Sequence, residues 1–121
     1  MADRDGLGPR GEEHAWELLS KRGDKLVARN FSCPQGELDI VSLNAETLVF
    51  TEVRARSSVK FGTPAETVTR SKQEKVKRAA KWFIAQNFKG RSAPPCRFDV
   101  VWLINQDGEI AESGIIEGAF Y

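Results

Sequence analysis

The sequence predicts an α/β fold of the mixed α+β kind: one mixed sheet with helices packed against it. The order is helix, three-strand meander, helix, strand, strand. Two apolar stripes recur at helical spacing, Ala15, Leu18 and Leu19 in one stretch and Val76, Ala79, Ala80, Phe83 and Ile84 in another. Short runs rich in Val, Ile, Leu and Phe lie between them and after them, separated by turn residues. Such an order calls for helices covering a sheet.

Residues 1–7 read as a loose leader, and residues 1–121 as a single domain. A helix starts at Gly8-Pro9-Arg10-Gly11, runs to about Arg22 and stops at Gly23. Glu12 extends its inward face by one turn, whereas Glu13 falls off that face. His14, the only histidine, has no partner at metal-ligand spacing, so a surface or packing role is expected. Lys25 to Phe31 forms the first strand, and Ser32-Cys33-Pro34-Gln35-Gly36 turns into the second.

The second and third strands, Gly36 to Val41 and Leu48 to Arg54, carry the chemistry. Side chains two apart share a face of a strand, which groups Glu37 with Asp39 and Glu52 with Arg54. A hairpin closed between Ala45 and Glu46 sets Asp39 opposite Glu52 and Glu37 opposite Arg54, provided the register holds. Opposed acids repel, and a hard divalent cation relieves that repulsion. Asp39 and Glu52 are therefore candidate ligands for Mg²⁺ or Mn²⁺. Glu12 either joins them from the first helix or complements the helix dipole.

A polar loop follows the third strand, and its Arg54, Arg56 and Lys60 suit contact with phosphate. The second helix is expected from an N-cap at Ser71, with Glu74 completing a capping box, to about Phe88. Lys72, Lys75, Lys77, Arg78 and Lys81 surround its apolar stripe. Gly90, Ser92, Pro94 and Pro95 break the chain before a fourth strand at Arg97 to Ile104. A turn at Asn105 to Gly108 leads to a fifth near Glu109 to Ile115. The helical crossover predicts that strands three and four are parallel. Asp99, set among Phe98, Val100 and Val101, is expected to have a structural partner such as Arg97 or a backbone N–H. Trp82 and Trp102 are expected to pack, with base stacking as the alternative.

Composition narrows the classes. The 121 residues are 40% hydrophobic and 29% charged, as in an ordinary water-exposed globular protein. No apolar run is long enough to span a bilayer and no signal-peptide pattern is present. The two cysteines lack zinc spacing, so reduced thiols in a cytoplasm are expected. The net charge of +1 conceals +9 over residues 54–91, against −4 over residues 1–53 and −4 over residues 92–121. A basic middle beside an acidic strand pair suits an enzyme acting on a polyanion; a solvated helix face is the plainer alternative.

Five segments combine into a recognisable pattern: Gly11-Glu12-x-x-Ala15, Gly36-Glu37-Leu38-Asp39-Ile40, Val49-Phe50-Thr51-Glu52-Val53-Arg54-Ala55-Arg56, Arg97-Phe98-Asp99-Val100-Val101 and Ile116-Glu117-Gly118-Ala119-Phe120. Together they resemble the YraN-type family of small predicted endonucleases. That family is similar to archaeal Holliday junction resolvases of the restriction-endonuclease-like PD-(D/E)xK superfamily. The resemblance implies a restriction-endonuclease-like core. It places the metal-binding aspartate at Asp39, the acid of the E-x-K element at Glu52 and the helix-borne glutamate at Glu12. The lysine position falls on Arg54, a departure, because arginine does not give up its proton. Arg54 then stabilises phosphate or holds Glu37, and Lys72 or Lys75 can reach in from the second helix.

The expected function is metal-dependent endonuclease cleavage of nucleic acid, with DNA favoured over RNA and structured or branched DNA over a base sequence. Arg56, Lys60, Lys72 and Lys75 would bind the backbone. A non-catalytic nucleic-acid-binding module with the same fold is the alternative, and an interaction protein meeting an acidic partner is a third. Resolvase-like proteins work as symmetric dimers, which leaves a homodimer open, although no stretch identifies its interface.

Overall fold

The structure is a computed structural model that describes residues 7–57 and 68–121. Helix α1 spans Pro9–Arg22, strands β1, β2 and β3 span Lys25–Cys33, Gly36–Asn44 and Thr47–Arg56, helix α2 spans Arg70–Asn87, and strands β4 and β5 span Cys96–Gln106 and Glu109–Phe120. The strands form one sheet in the order β1-β2-β3-β4-β5. Only the β3–β4 pair is parallel, as the helical crossover requires.

Alternation along the strands divides the core between the two faces of the sheet. Leu38, Val41, Phe50 and Val100 join Val76, Ala79, Ala80 and Phe83 of α2 in one cluster. Ile40, Val101 and Leu103 join Ala15 and Leu19 of α1 in the other. A chain of rings links the first cluster across the sheet: Phe31 on Phe83 at 5.1 Å, Phe50 on Phe98 at 5.6 Å and Phe98 on Phe120 at 5.0 Å. Leu7, assigned to the leader, is 4% exposed and packs in the second cluster, so the core begins one residue before α1 is capped.

Three of the element boundaries that differ from the expectation have an identifiable cause. The second hairpin is tighter, because Asn44 pairs with Thr47 and leaves only Ala45 and Glu46 to turn. Ala45 takes a left-handed φ of 53° there. Helix α2 is capped by Thr69, whose hydroxyl accepts the Lys72 N–H at 3.2 Å, so Ser71 lies inside the helix. Glu74 reaches Lys77 at 3.4 Å instead of closing a capping box. Strand β5 continues to Phe120, because Gly118, at φ 59°, donates its N–H to Asp99 and brings Phe120 opposite Phe98.

The sheet has two outer strands. At one of them, β1, the pairing shifts between Leu26 and Ala28, and Leu26 and Val27 stand 45% and 43% exposed. At the other, β5, Gly114 lies under the Trp102 ring, so close that a Cβ there would stand 2.6 Å from it.

Candidate functional site

The β2–β3 register follows the expected hairpin from Asn44 opposite Thr47 to Ile40 opposite Thr51, and there the recorded pairing stops. One residue further, the Asp39 carboxylate accepts the backbone N–H of Val53 at 2.9 Å. The side-chain alternation of β2 also breaks at this point. Ile40 faces α1, yet Leu38, two residues away, packs with the α2 cluster. Across the β1–β2 pair, Arg29 opposes Ile40 and Phe31 opposes Leu38, which leaves Asn30 facing Asp39. Asn30 has φ 53°, a left-handed conformation unusual inside a strand. Irregularities of this kind re-aim a side chain and recur beside active sites. Asn30, Glu37, Leu38 and Asp39 line a depression of about 320 Å³.

Glu52 stands on the α2 face of β3, in line with Phe50, and is 1% exposed. Burial first, and then the charge of Asp39, push its carboxyl up to about 8. The Lys72 ammonium and the Asp39 backbone N–H pull the other way. Lys72 Nζ stands 3.5 Å from Glu52 Oε1, so the second helix does reach the acidic pair. Glu52 Oε2 is buried with no hydrogen-bond partner among the described residues. Glu12 is partly buried at the start of α1. Its carboxyl is raised by burial and by Asp39, while a hydrogen bond from Asn30 and the charge of Arg29 oppose the shift. The three acids named from the sequence thus act on one another through Asp39.

The remaining candidates divide. Arg54 is partly buried on β3 and its register sets it beside Trp102 of β4. The ladder that would set Glu37 opposite Arg54 ends before reaching them, and Glu37 lies exposed on the rim of the depression. Arg56 ends β3, partly buried. Lys75 is exposed on α2, and its backbone packs 3.4 Å from the place a Cβ on Gly36 would take, beside the depression. Lys60 lies outside the described residues. Among the described residues, no three His, Cys, Asp or Glu side chains stand together as a metal-holding group.

His14 bonds Ser113 Oγ at 3.0 Å, a packing role. Asp99 is fully buried and accepts from Arg97 at 2.9 Å, Arg22 at 2.8 Å and the Gly118 N–H at 3.0 Å. Arg22 also bonds Asp24 at 2.6 Å. Burial pushes the Asp24 carboxyl up, but hydrogen bonds from Arg22, Ser42 and Asn44 together hold it below the usual carboxylate range. These charges are matched by hydrogen-bonded partners, whereas one Glu52 oxygen has none among the described residues. Asn30 was not legible from the sequence. It sits among ordinary strand residues, and only its φ marks it.

The described residues contain no helix long and apolar enough to cross a membrane. A family model described as "Uncharacterised protein family UPF0102" matches residues 11–103. A UPF0102 protein of Caldicellulosiruptor saccharolyticus is 42% identical over 117 residues, covering 94% of this chain and 96% of the relative. One from Moorella thermoacetica is 43% identical over 115 residues, covering 93% of each. One from Desulfosudis oleivorans is 37% identical over 120 residues, covering 99% and 94%.

Proposed function

We propose, for a chain that belongs to the uncharacterised family UPF0102, the YraN type of the sequence resemblance, a metal-dependent endonuclease that hydrolyses phosphodiesters in nucleic acid. The observation that supports this most is the buried Glu52 carboxylate, held against Asp39 with one oxygen unmatched. Two acids at one place in a sheet are unfavourable by themselves and suit a hard divalent cation.

Asp39 and Glu52 would hold Mg²⁺ or Mn²⁺, and Glu12, which does not stand with them as a third ligand, would act on Asp39 through its charge. When bound, such an ion polarises a phosphate and lowers the pKa of a water. The protein's own groups supply the rest. Arg54, always charged, stabilises negative charge growing on the phosphate. Lys72 supplies the ammonium that the E-x-K element lacks at Arg54. Asn30 orients Glu12, and the Val53 N–H fixes one Asp39 oxygen. Among the described residues at the depression none is placed to read base edges, so shape would select the substrate, structured or branched DNA ahead of RNA. A cytoplasmic setting fits the unpaired Cys33 and Cys96, and a homodimer would present two such sites to a branched duplex.

One observation favours the non-catalytic alternative. The Lys72 ammonium already faces Glu52 and balances part of its charge, as a structural cation would. Incubation with branched, single-stranded and duplex DNA in Mg²⁺ and in Mn²⁺ decides between them. Metal-dependent cleavage that Glu52→Gln abolishes is the expected result. Salt-sensitive binding without cleavage would leave the fold as a binding module, and no binding at low salt would remove nucleic acid altogether.

A further inference from the structure

Helix α2 carries a second feature that the acidic pair does not use. Its buried stripe of Val76, Ala79, Ala80 and Phe83 leaves another face to solvent. Lys75, Arg78 and Trp82 fall on that face at i, i+3 and i+7, and all three are exposed, the indole by 37%. Among the described residues, Lys75, Arg78 and Lys81 make no ion pair, whereas Lys72 and Lys77 are engaged with Glu52 and Glu74. An indole face open to solvent beside cations that make no ion pair among the described residues presents a stacking platform and positive charge side by side. It matches one chemistry well: phosphates for the cations and the flat face of a base for the indole.

Position adds to the argument. Lys75 packs against Gly36, at the start of the strand that carries Glu37 and Asp39. The row therefore begins beside the depression and leads away from it, covering about 10 Å between Lys75 and Trp82 at 1.5 Å per residue. A duplex hides base faces inside its stack, and only an unpaired strand offers them to a ring on a convex helix.

We propose that Lys75, Arg78 and Trp82 on the outer face of α2 bind an unpaired nucleic-acid strand as it leaves the acidic depression, two cations on its phosphates and one base stacked on Trp82. This rests on the endonuclease reading for the strand's direction. It makes the substrate class a nucleic acid in which an unpaired segment adjoins the point of cleavage.

The test is binding in chelator, where no metal-dependent cleavage occurs. A fluorescent oligothymidine and a hairpin duplex of equal charge are titrated with the protein, and anisotropy is followed at several salt concentrations. The wild-type protein should prefer the single strand. Trp82→Ala should weaken single-strand binding about ten-fold, within the range for loss of one stacked base, and leave the hairpin almost unaffected. Trp82→Phe, which keeps a ring, should restore most of the affinity and guards against a folding defect. Lys75→Gln and Arg78→Gln should weaken both probes and flatten the salt dependence, each by about 0.7 in slope on the single strand.

Equal losses on both probes with Trp82→Ala, or no loss on either, overturns the proposal, as does a wild-type protein that prefers the duplex. Failure is separable from that of the endonuclease reading. Single-strand binding through Trp82 without any cleavage sustains this proposal and ends that one. Cleavage of fully paired duplex that tolerates Trp82→Ala does the reverse.

Discussion

Glu52 shows how much one side chain sets the character of this molecule. Its carboxyl, raised from 4.5 to about 8, binds a proton more tightly in the folded state than in the unfolded chain. Its destabilising effect is therefore absent below about pH 4.5, grows as pH rises, and is complete above about pH 8. Glu52→Gln should raise the melting temperature in chelator at pH 9 and change it little at pH 4.5, as thermal unfolding at both pH values would show. A substitution that lowers stability at pH 9 would mean that the Lys72 contact outweighs burial. Mn²⁺ should raise the melting temperature of the wild type and lose that effect in Glu52→Gln. Asn30 offers a second test at this scale. Its left-handed φ disfavours a Cβ-bearing residue that lacks a local hydrogen bond, so Asn30→Ala should cost about 1–2 kcal/mol. Asn30→Gly relieves the backbone and removes only the bond to Glu12. Chemical denaturation separates the two, and equal losses would show that the side chain rather than the backbone matters.

At the scale of elements, the hydrophobic pattern was legible because it is redundant. Every residue of the α2 stripe repeats the same message, and the ends of α1 carry Gly8-Pro9 and Gly23 as punctuation. The cap of α2 was misread because Ser71 with Glu74 imitates a capping box, while Thr69 two residues earlier has the extended backbone that a cap needs. Thr69→Ala should accordingly destabilise by about 1 kcal/mol, and Ser71→Ala should be near neutral in denaturant titrations. The hairpin register was legible as far as Ile40, where the ladder ends, since local pairing rules cannot foresee that the Asp39 side chain takes the Val53 N–H. Strand β5 was cut short for a related reason. Its last residues are held by Asp99, far away in sequence. Gly114 completes this scale: Gly114→Ala would drive a methyl into the Trp102 ring and should cost about 1–3 kcal/mol.

The whole molecule holds its buried acids in two ways. Arg22, Asp24, Arg97 and Asp99 form a closed network that ties the end of α1 to β4 and, through Gly118, to β5. Removing Asp99 strips Arg97 of its bonded acid and leaves Arg22 with Asp24 and Glu117. Asp99→Ala should therefore cost about 3–5 kcal/mol, a large share of a small domain's stability, measurable by denaturant titration. Glu52, by contrast, has a single cation at 3.5 Å and one oxygen without a hydrogen-bond partner among the described residues. The sequence could name Asp99 as an acid in a strand, but only the topology brings Arg22, far away in the chain, to it. At the outer strand β1, the shifted pairing between Leu26 and Ala28 has a consequence for crowding. A straight, apolar border would template the addition of another chain and seed fibrils. The kink denies a newcomer a flush ladder, so deleting Val27 should straighten the border and make light scattering climb with protein concentration.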